Sequence, residues 1–222
     1  MKTAFHFSGK EIKDISLALV ALAFSFQLIL FREEIFLQGQ LANIVSMLNY
    51  FFQSLVIVGF AFVLHELGHK YVAQKKGLWA EFRAWPAGLG IAVLLAVISR
   101  GGFVFAAPGA VMIAPSRNSK KGFLSQKLEK KDIGQIGIVG AAINMVLALF
   151  FIALAAAMPI KLFAIGAQVN AWLAIFNLIP FNPLDGAKVL YWGKGIWGAA
   201  MLSSIIIFIL TIILIENGKR KR

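Results

Sequence analysis

The chain has 222 residues, of which 59% are apolar and 14% charged, and its formal net charge is +12. Soluble domains are about 45–50% apolar and about 25% charged, so this composition excludes an ordinary soluble protein and indicates a polytopic membrane protein. Cysteine is absent, which excludes disulfides and thiolate metal sites, and the basic residues lie beside apolar spans as the positive-inside rule requires, so we expect no nucleic-acid partner.

The first two apolar stretches are predicted to be transmembrane helices. Residues 15–31 form a short uncharged span after a polar, basic segment 1–14, in which His6 is expected to be solvent-exposed. Residues 44–64 carry no charge and are long enough to cross a bilayer core. This second helix is predicted to run inward as far as residue 69 and to stop by Gly77.

The second span ends in His65-Glu66-Leu67-Gly68-His69. Two histidines at i and i+4 project from one face of a helix and can close on a single Zn²⁺. Glu66 lies about 100° around the helix from His65, so it flanks the metal as a general base for water would. Ionisable groups at membrane depth are costly and usually functional, so the stretch predicts a zinc hydrolase site in the membrane. A buried helix with two hydrogen-bonded histidines is the alternative.

Residues 78–116 are predicted to form a small membrane-dipping β insert. Residues 78–85 alternate apolar and polar side chains, as strands do, and residues 86–98 are apolar but too short to cross. Residues 101–113 are rich in strand formers and are broken at Pro108-Gly109. Two strands with a short helix between them fit this pattern, and a distorted ordinary span is the alternative.

Three further spans are predicted at residues 134–158, 162–179 and 201–215, with a start near Ile196 as the alternative for the last one. Proline must break the helix within 180–186. Five spans counted from an inner N-terminus would place the basic C-terminal tail outside, against the charge rule. A sixth crossing hidden in 86–114 or 187–215 is therefore the alternative. We expect an α-helical polytopic membrane protein with about five to six transmembrane helices and a small membrane-associated β insert.

A catalytic zinc needs a third protein ligand. A metzincin would carry a glycine and a third histidine where this chain has Val72 and Lys75, so that class is excluded. Among the downstream carboxylates, Asp185 lies in a broken helix end on the same inner side as the histidines and is the preferred ligand. Glu81 is the alternative ligand, and Asp185 could instead cap a helix.

These residues resemble the site-2 proteases, a family of intramembrane zinc metalloproteases. The resemblance is carried by His65–His69, by Asn177-Leu-Ile-Pro180 with Asn182-Pro-Leu-Asp185-Gly186, and by Gly140-x-x-x-Asn144. The family often has Gly-Pro where this chain has Gly140-Ala141. The likeness covers about residues 44–190 and implies a single membrane-embedded protease domain over 1–222, without a PDZ or CBS domain.

The resemblance also implies roles and partners. It implies that His65, His69 and Asp185 bind one Zn²⁺ per chain, that Glu66 is the base and that Asn177 steadies the reacting carbonyl. Five residues are predicted to contact substrate, the last three through a strand edge that holds an unwound substrate segment: Asn144, Asn182, Val104, Phe105 and Val111. The expected partners are a transmembrane protein or peptide substrate and the lipid bilayer, in the cell membrane with the site toward the cytoplasm. A zinc transporter and an inactive scaffold are the rival functions.

Overall fold

The computed structural model describes residues 6–37, 43–105, 107–115, 128–158 and 160–220. Seven α-helices and two strands follow one another in this part of the chain: α1 (Gly9–Leu30), α2 (Ile44–Lys75), β1 (Leu78–Ala84), α3 (Pro86–Ile98), β2 (Gly109–Pro115), α4 (Lys130–Ala157), α5 (Lys161–Asn177), α6 (Asp185–Trp192) and α7 (Lys194–Arg220). Four helices, namely α1, α2, α4 and residues 194–215 of α7, are long and apolar enough to cross a membrane. The predicted class, a helical membrane protein with a small β insert, is confirmed.

The first helix begins earlier than the apolar pattern predicted. It starts at Gly9, because the Ser8 side chain caps it by accepting a hydrogen bond from the backbone N–H of Glu11. Glu11 is 1% exposed, and its carboxylate accepts hydrogen bonds from Lys70 Nζ at 2.5 Å and from the Phe82 N–H at 3.0 Å. The polar residues 9–14 therefore belong to α1, which was predicted to start only at residue 15.

The second helix carries the histidine pair further from its end than predicted. α2 continues beyond His69 through Lys75, and Gly77 follows at φ 79°, in the left-handed region that favours glycine. The predicted stop by Gly77 is confirmed. Lys70, directly after the motif, is buried against Glu11, so its ion pair joins α2 to the N-terminal end of α1.

The β insert is a two-stranded antiparallel sheet in which Phe82 of β1 pairs with Val111 of β2. The predicted strand at 78–85 and the helix at 86–98 are confirmed. The predicted strand at 101–113 is wrong for its first residues. Arg100 at φ 47° and Gly101 at φ 70° turn the chain, and Gly101 lies so close to the backbone of Leu28 on α1 that a side chain would not fit. β2 begins only at Gly109.

The second half of the protein is organised around α4, which packs against α2, α5 and α6. Gly134, Gly137 and Gly140 lie on one stripe of α4 and face Trp192, Lys188 and the two histidines respectively. A Cβ at each of these positions would overlap the facing residue. This stripe of small residues lets α2 and α6 approach α4 closely.

The last helices follow a hairpin of α4 and α5. α5 has 17 residues and is about 25 Å long. The predicted helix break is confirmed, since residues 178–184 are not helical. α7 begins at Lys194, earlier than the predicted start at residue 201. With 13 and 8 residues, α3 and α6 are too short to span a bilayer core, so neither supplies the sixth crossing considered above.

Candidate metal centre

His65 and His69 on α2 meet Asp185 at the first residue of α6. The Nε2 atoms of His65 and His69 lie 3.2 Å and 2.9 Å from Oδ2 of Asp185. All three residues are buried, and their ligand atoms lie within 4.8 Å of one another. The fold therefore brings the three predicted ligands to one point, although Asp185 follows His65 by 120 positions in the sequence.

The partners of the other ring nitrogens fix the form of both histidines. His69 Nδ1 lies 2.6 Å from the backbone carbonyl oxygen of Ile136, which can only accept, so Nδ1 carries the proton. His65 Nδ1 lies 2.6 Å from Oδ1 of Asn144, whose Nδ2 donates to the carbonyl oxygen of Ala61. Neutral rings protonated at Nδ1 present the lone pair of Nε2 toward Asp185, as metal-ligating histidines do.

The space between these residues fits a metal ion. Gly140 of α4 faces both rings, and a Cβ there would overlap His65 and His69. Two nitrogen lone pairs and a carboxylate oxygen that point at one another can hold a cation between them. Two imidazoles and one carboxylate are also a ligand set of catalytic zinc sites, which keep a fourth position open.

Asp185 is held from its other side by Lys188 on α6, whose Nζ donates to Oδ1 at 2.8 Å. Burial would raise the pKa of the Asp185 carboxyl, but its interactions with the two histidines and with the charge of Lys188 outweigh burial and hold the pKa well below its usual range. Asp185 is therefore ionised, with Oδ1 on the lysine and Oδ2 on the histidines. Leu184, rather than Asp185, is the N-cap of α6, so the capping role considered above does not apply.

A cavity opens beside the three ligands. Its lining includes Glu66 and Asn177, the helix break at Pro183, and β2 from Gly109 to Val111. Oε2 of Glu66 is buried without a hydrogen-bond partner in the described part of the chain. Asn177 donates one N–H to the Leu173 carbonyl oxygen at 3.0 Å, which leaves its second N–H for another acceptor. The cavity thus joins the ligands to an unpaired carboxylate oxygen and an amide donor.

A protein of Methanocaldococcus jannaschii named "Putative zinc metalloprotease" is 35% identical to this chain over 206 residues, which cover 90% of the chain and 94% of the relative. The chain belongs to this family of zinc metalloproteases. No protein-family model matches the chain, and no solved structure matches it. The relative's name supports a metalloprotease with zinc, and the cluster of His65, His69 and Asp185 is where this metalloprotease can hold a metal.

Glu81, the alternative third ligand, is not part of the metalloprotease's metal centre. It lies on β1, where its carboxylate pairs with Arg83 and accepts a hydrogen bond from Ser8 Oγ at 3.3 Å. In the part of the chain that the structure describes, the cluster able to hold a metal contains Asp185 instead.

Asn144 lies behind the site, and its contact with substrate stays a prediction. It is 0% exposed, and both hydrogens of Nδ2 are used, by Ala61 and by Oδ1 of Asn170 at 3.0 Å each. Its Oδ1 accepts from His65 Nδ1. Asn144 therefore orients a metal ligand of the metalloprotease and faces away from the cavity.

The other predicted substrate contacts divide into two groups. Val111 on β2 lines the cavity, as predicted. Val104 is 2% exposed inside the apolar core, and Phe105 packs edge-on against Trp85 and Phe176, so neither lines the cavity. Both residues precede β2, so the strand edge expected to hold substrate does not include them, and their contact with substrate stays a prediction. Asn182 is exposed in the break before α6 and also lies outside the cavity lining.

Sequence reasoning missed Lys188 and Asn170. Lys188 follows Asp185 by three positions, so helical spacing places it on the same face, and that signal was available. Asn170 was noted only as a polar residue within a span. Its contact with Asn144 is a tertiary contact between α4 and α5, which no spacing within the sequence indicates.

Proposed function

We propose that this metalloprotease holds one Zn²⁺ per chain and cleaves peptide bonds within or beside the transmembrane segments of membrane-anchored proteins, as in regulated intramembrane proteolysis. One observation carries the proposal. The two histidines and the adjacent glutamate lie on α2, a helix long and apolar enough to cross a membrane, and all three are buried. A site at that depth meets peptide bonds that a soluble protease does not reach.

The residues around the cavity supply the steps of hydrolysis. Zinc bound by His65, His69 and Asp185 supplies the Lewis acidity that makes water nucleophilic near neutral pH. Glu66, whose Oε2 is unpaired, accepts the proton of the attacking water and returns it to the leaving amine. The second N–H of Asn177 donates to the carbonyl oxygen as negative charge develops there. Lys188 keeps Asp185 oriented throughout.

Water reaches the site from the inner side in this proposal. The helix break before α6 and the edge of β2 line the cavity together with Lys188, so polar groups lead to Glu66. Lys75 and Lys76 at the inner end of α2, with Lys130 and Lys131 at the start of α4, favour the cytoplasmic face of the cell membrane for this end.

Substrate binds to β2 as an added strand in this proposal. A transmembrane helix hides its carbonyl groups in its own hydrogen bonds, so the segment to be cut must unwind. β2 pairs with β1 on one side in the two-stranded sheet, and its residues 109–111 and 113 line the cavity. An extended peptide added to the other edge gains backbone hydrogen bonds and lies beside Glu66.

The proposal is tested by Glu66→Gln in purified enzyme reconstituted into liposomes with a single-span substrate protein. The amide cannot accept a proton, so cleavage should fall about 10²- to 10⁴-fold while zinc content stays at one per chain. Glu33→Gln, at the start of the π-helix Glu33–Leu37, is the matched control and should leave cleavage unchanged. Product fragments are followed by gel and mass spectrometry.

Three outcomes contradict the proposal. Loss of zinc from Glu66→Gln would make Glu66 a ligand rather than the base. Zinc flux into the liposomes that survives Glu66→Gln, without cleavage by the parent enzyme, would indicate a transporter. Cleavage of a soluble unfolded protein but of no membrane-anchored one would place the substrate outside the membrane.

A further inference from the structure

Asn170 of α5 is a fully buried amide that contacts the metal centre only indirectly. It is 0% exposed, and its Oδ1 accepts a hydrogen bond from Nδ2 of Asn144 at 3.0 Å. Asn144 in turn accepts the Nδ1 proton of His65 at 2.6 Å. Two amides and one ring thus form a line from the middle of α5 to a metal ligand on α2.

Each member of this line determines the orientation of the next. Nδ2 of Asn170 lies 2.9 Å from the carbonyl oxygen of Gly166, which can only accept, so Oδ1 of Asn170 must face Asn144. Nδ2 of Asn144 then has two acceptors, Asn170 and the Ala61 carbonyl oxygen, which leaves its Oδ1 toward His65. Only the Nδ1–H form of His65 can complete the line.

The line also fixes the position of the ring. Ala61 precedes His65 by one turn on α2, so Asn144 bonds both the ring and the backbone of the helix that carries it. Asn170 occupies the remaining hydrogen of Asn144, which would otherwise be buried without an acceptor or turn away. With the ring held in this way, Nε2 of His65 points at Oδ2 of Asp185.

We propose that Asn170 is a positioning residue of the metal site: through Asn144 it selects the Nδ1–H form of His65 and aims Nε2 at the metal. The inference concerns metal binding and does not depend on the substrate class proposed above. Outer hydrogen-bond partners of metal-ligating histidines typically change metal affinity about 10- to 100-fold. Asn170 acts one bond further out, so an effect at the lower end is expected.

The test measures zinc affinity of the full-length protein in detergent by competition with a chelator of known affinity. Asn170→Ala and Asn170→Leu should each bind zinc about 10-fold more weakly than the parent. Ser204→Ala on α7 is the matched control, because Ser204 is also 0% exposed and its hydroxyl donates to Ala200 on its own helix. It should leave zinc affinity unchanged.

A double-mutant cycle separates positioning from general loosening of the helix packing. If Asn170 acts through Asn144, then adding Asn170→Ala to Asn144→Ala should weaken zinc binding no further. Additive losses of zinc affinity in the double variant would overturn the proposal. Parental zinc affinity in Asn170→Ala and Asn170→Leu would overturn it as well. The visible spectrum of the Co²⁺-substituted protein gives a second readout, which should change in Asn170→Ala and stay parental in Ser204→Ala.

Folding and function are controlled separately. If Asn170→Leu does not yield folded protein by tryptophan fluorescence, Asn170→Ala carries the comparison, because it removes the amide without adding a branched side chain. A failure to cleave membrane-anchored substrates would contradict the proposed function. It would not affect the test of Asn170, because that test measures zinc affinity and not cleavage.

Discussion

Gly140 leaves room for the two histidine rings of the candidate metal centre. A Cβ at this position of α4 would overlap the rings of His65 and His69. Alanine favours a helix over glycine by about 1 kcal/mol, so Gly140→Ala should not weaken α4 itself. We expect zinc affinity to fall at least about 10-fold, since displaced ligand rings cannot keep their hydrogen bonds to Asn144 and Ile136.

Equilibrium zinc competition measures this loss, and Gly59→Ala is the control. Gly59 is a glycine of the same helix as the histidines, and its added Cβ would meet Leu19 at an ordinary 3.6 Å. Parental zinc affinity in Gly140→Ala would show that the two rings do not lie against α4 in solution.

Residue patterns selected the three residues that form the candidate metal cluster. His65, Glu66 and His69 follow from one helical turn, and Asp185 follows from its place after two prolines. Asn144 was selected by resemblance, but its hydrogen bond to His65 could not be predicted, because a motif does not show which way a side chain faces. Asn170 and the Ile136 carbonyl could not be selected, since their partners lie on other helices.

At the scale of elements, β2 is the strand that lines the cavity at the proposed substrate site. A photoreactive residue in place of Ala110, which lines the cavity, should capture a transmembrane substrate bound to the Glu66→Gln enzyme. Val146 of α4 is the comparison position, because it is 66% exposed on a spanning helix. Capture is measured as the cross-linked adduct on a gel.

We expect more capture from Ala110 than from Val146, and more still when helix-breaking residues flank the cut, since such a substrate unwinds more easily. Capture from Val146 alone would mean that substrate enters between helices and that β2 does not hold it.

The elements themselves were predictable in type but not at their ends. The apolar runs gave the helices, and alternation gave β1. The start of α1 depends on the Ser8 cap and on the ion pair of Glu11 with Lys70, residues 59 positions apart. The start of β2 depends on a turn at Arg100 and Gly101 packed against α1. Neither the ion pair of Glu11 with Lys70 nor the packing of this turn on α1 can be predicted from the composition of a single segment.

At the scale of the whole molecule, the metal centre is the point at which the two halves of the chain meet. α2 supplies the two histidines, α6 supplies Asp185, and α4 supplies the partners of both rings. The inner end of α2 is also joined to α4 by Lys76, whose Nζ lies 2.6 Å from Asp132. A metal shared between α2 and α6 should therefore stabilise the packing of both helices on α4, and not only the local cavity.

This arrangement predicts that zinc raises the thermal stability of the whole protein. A ligand that binds only the folded state adds about 4 kcal/mol at a thousand times its dissociation constant, so a strong chelator should lower the melting temperature measured by tryptophan fluorescence. Asp185→Ala should abolish the difference between the zinc-loaded and chelated forms. Glu81→Ala should keep it, because Glu81 pairs with Arg83 on β1 and lies outside the ligand cluster. The reverse result, with the zinc-dependent shift kept in Asp185→Ala and lost in Glu81→Ala, would show that the third ligand is Glu81 and not Asp185.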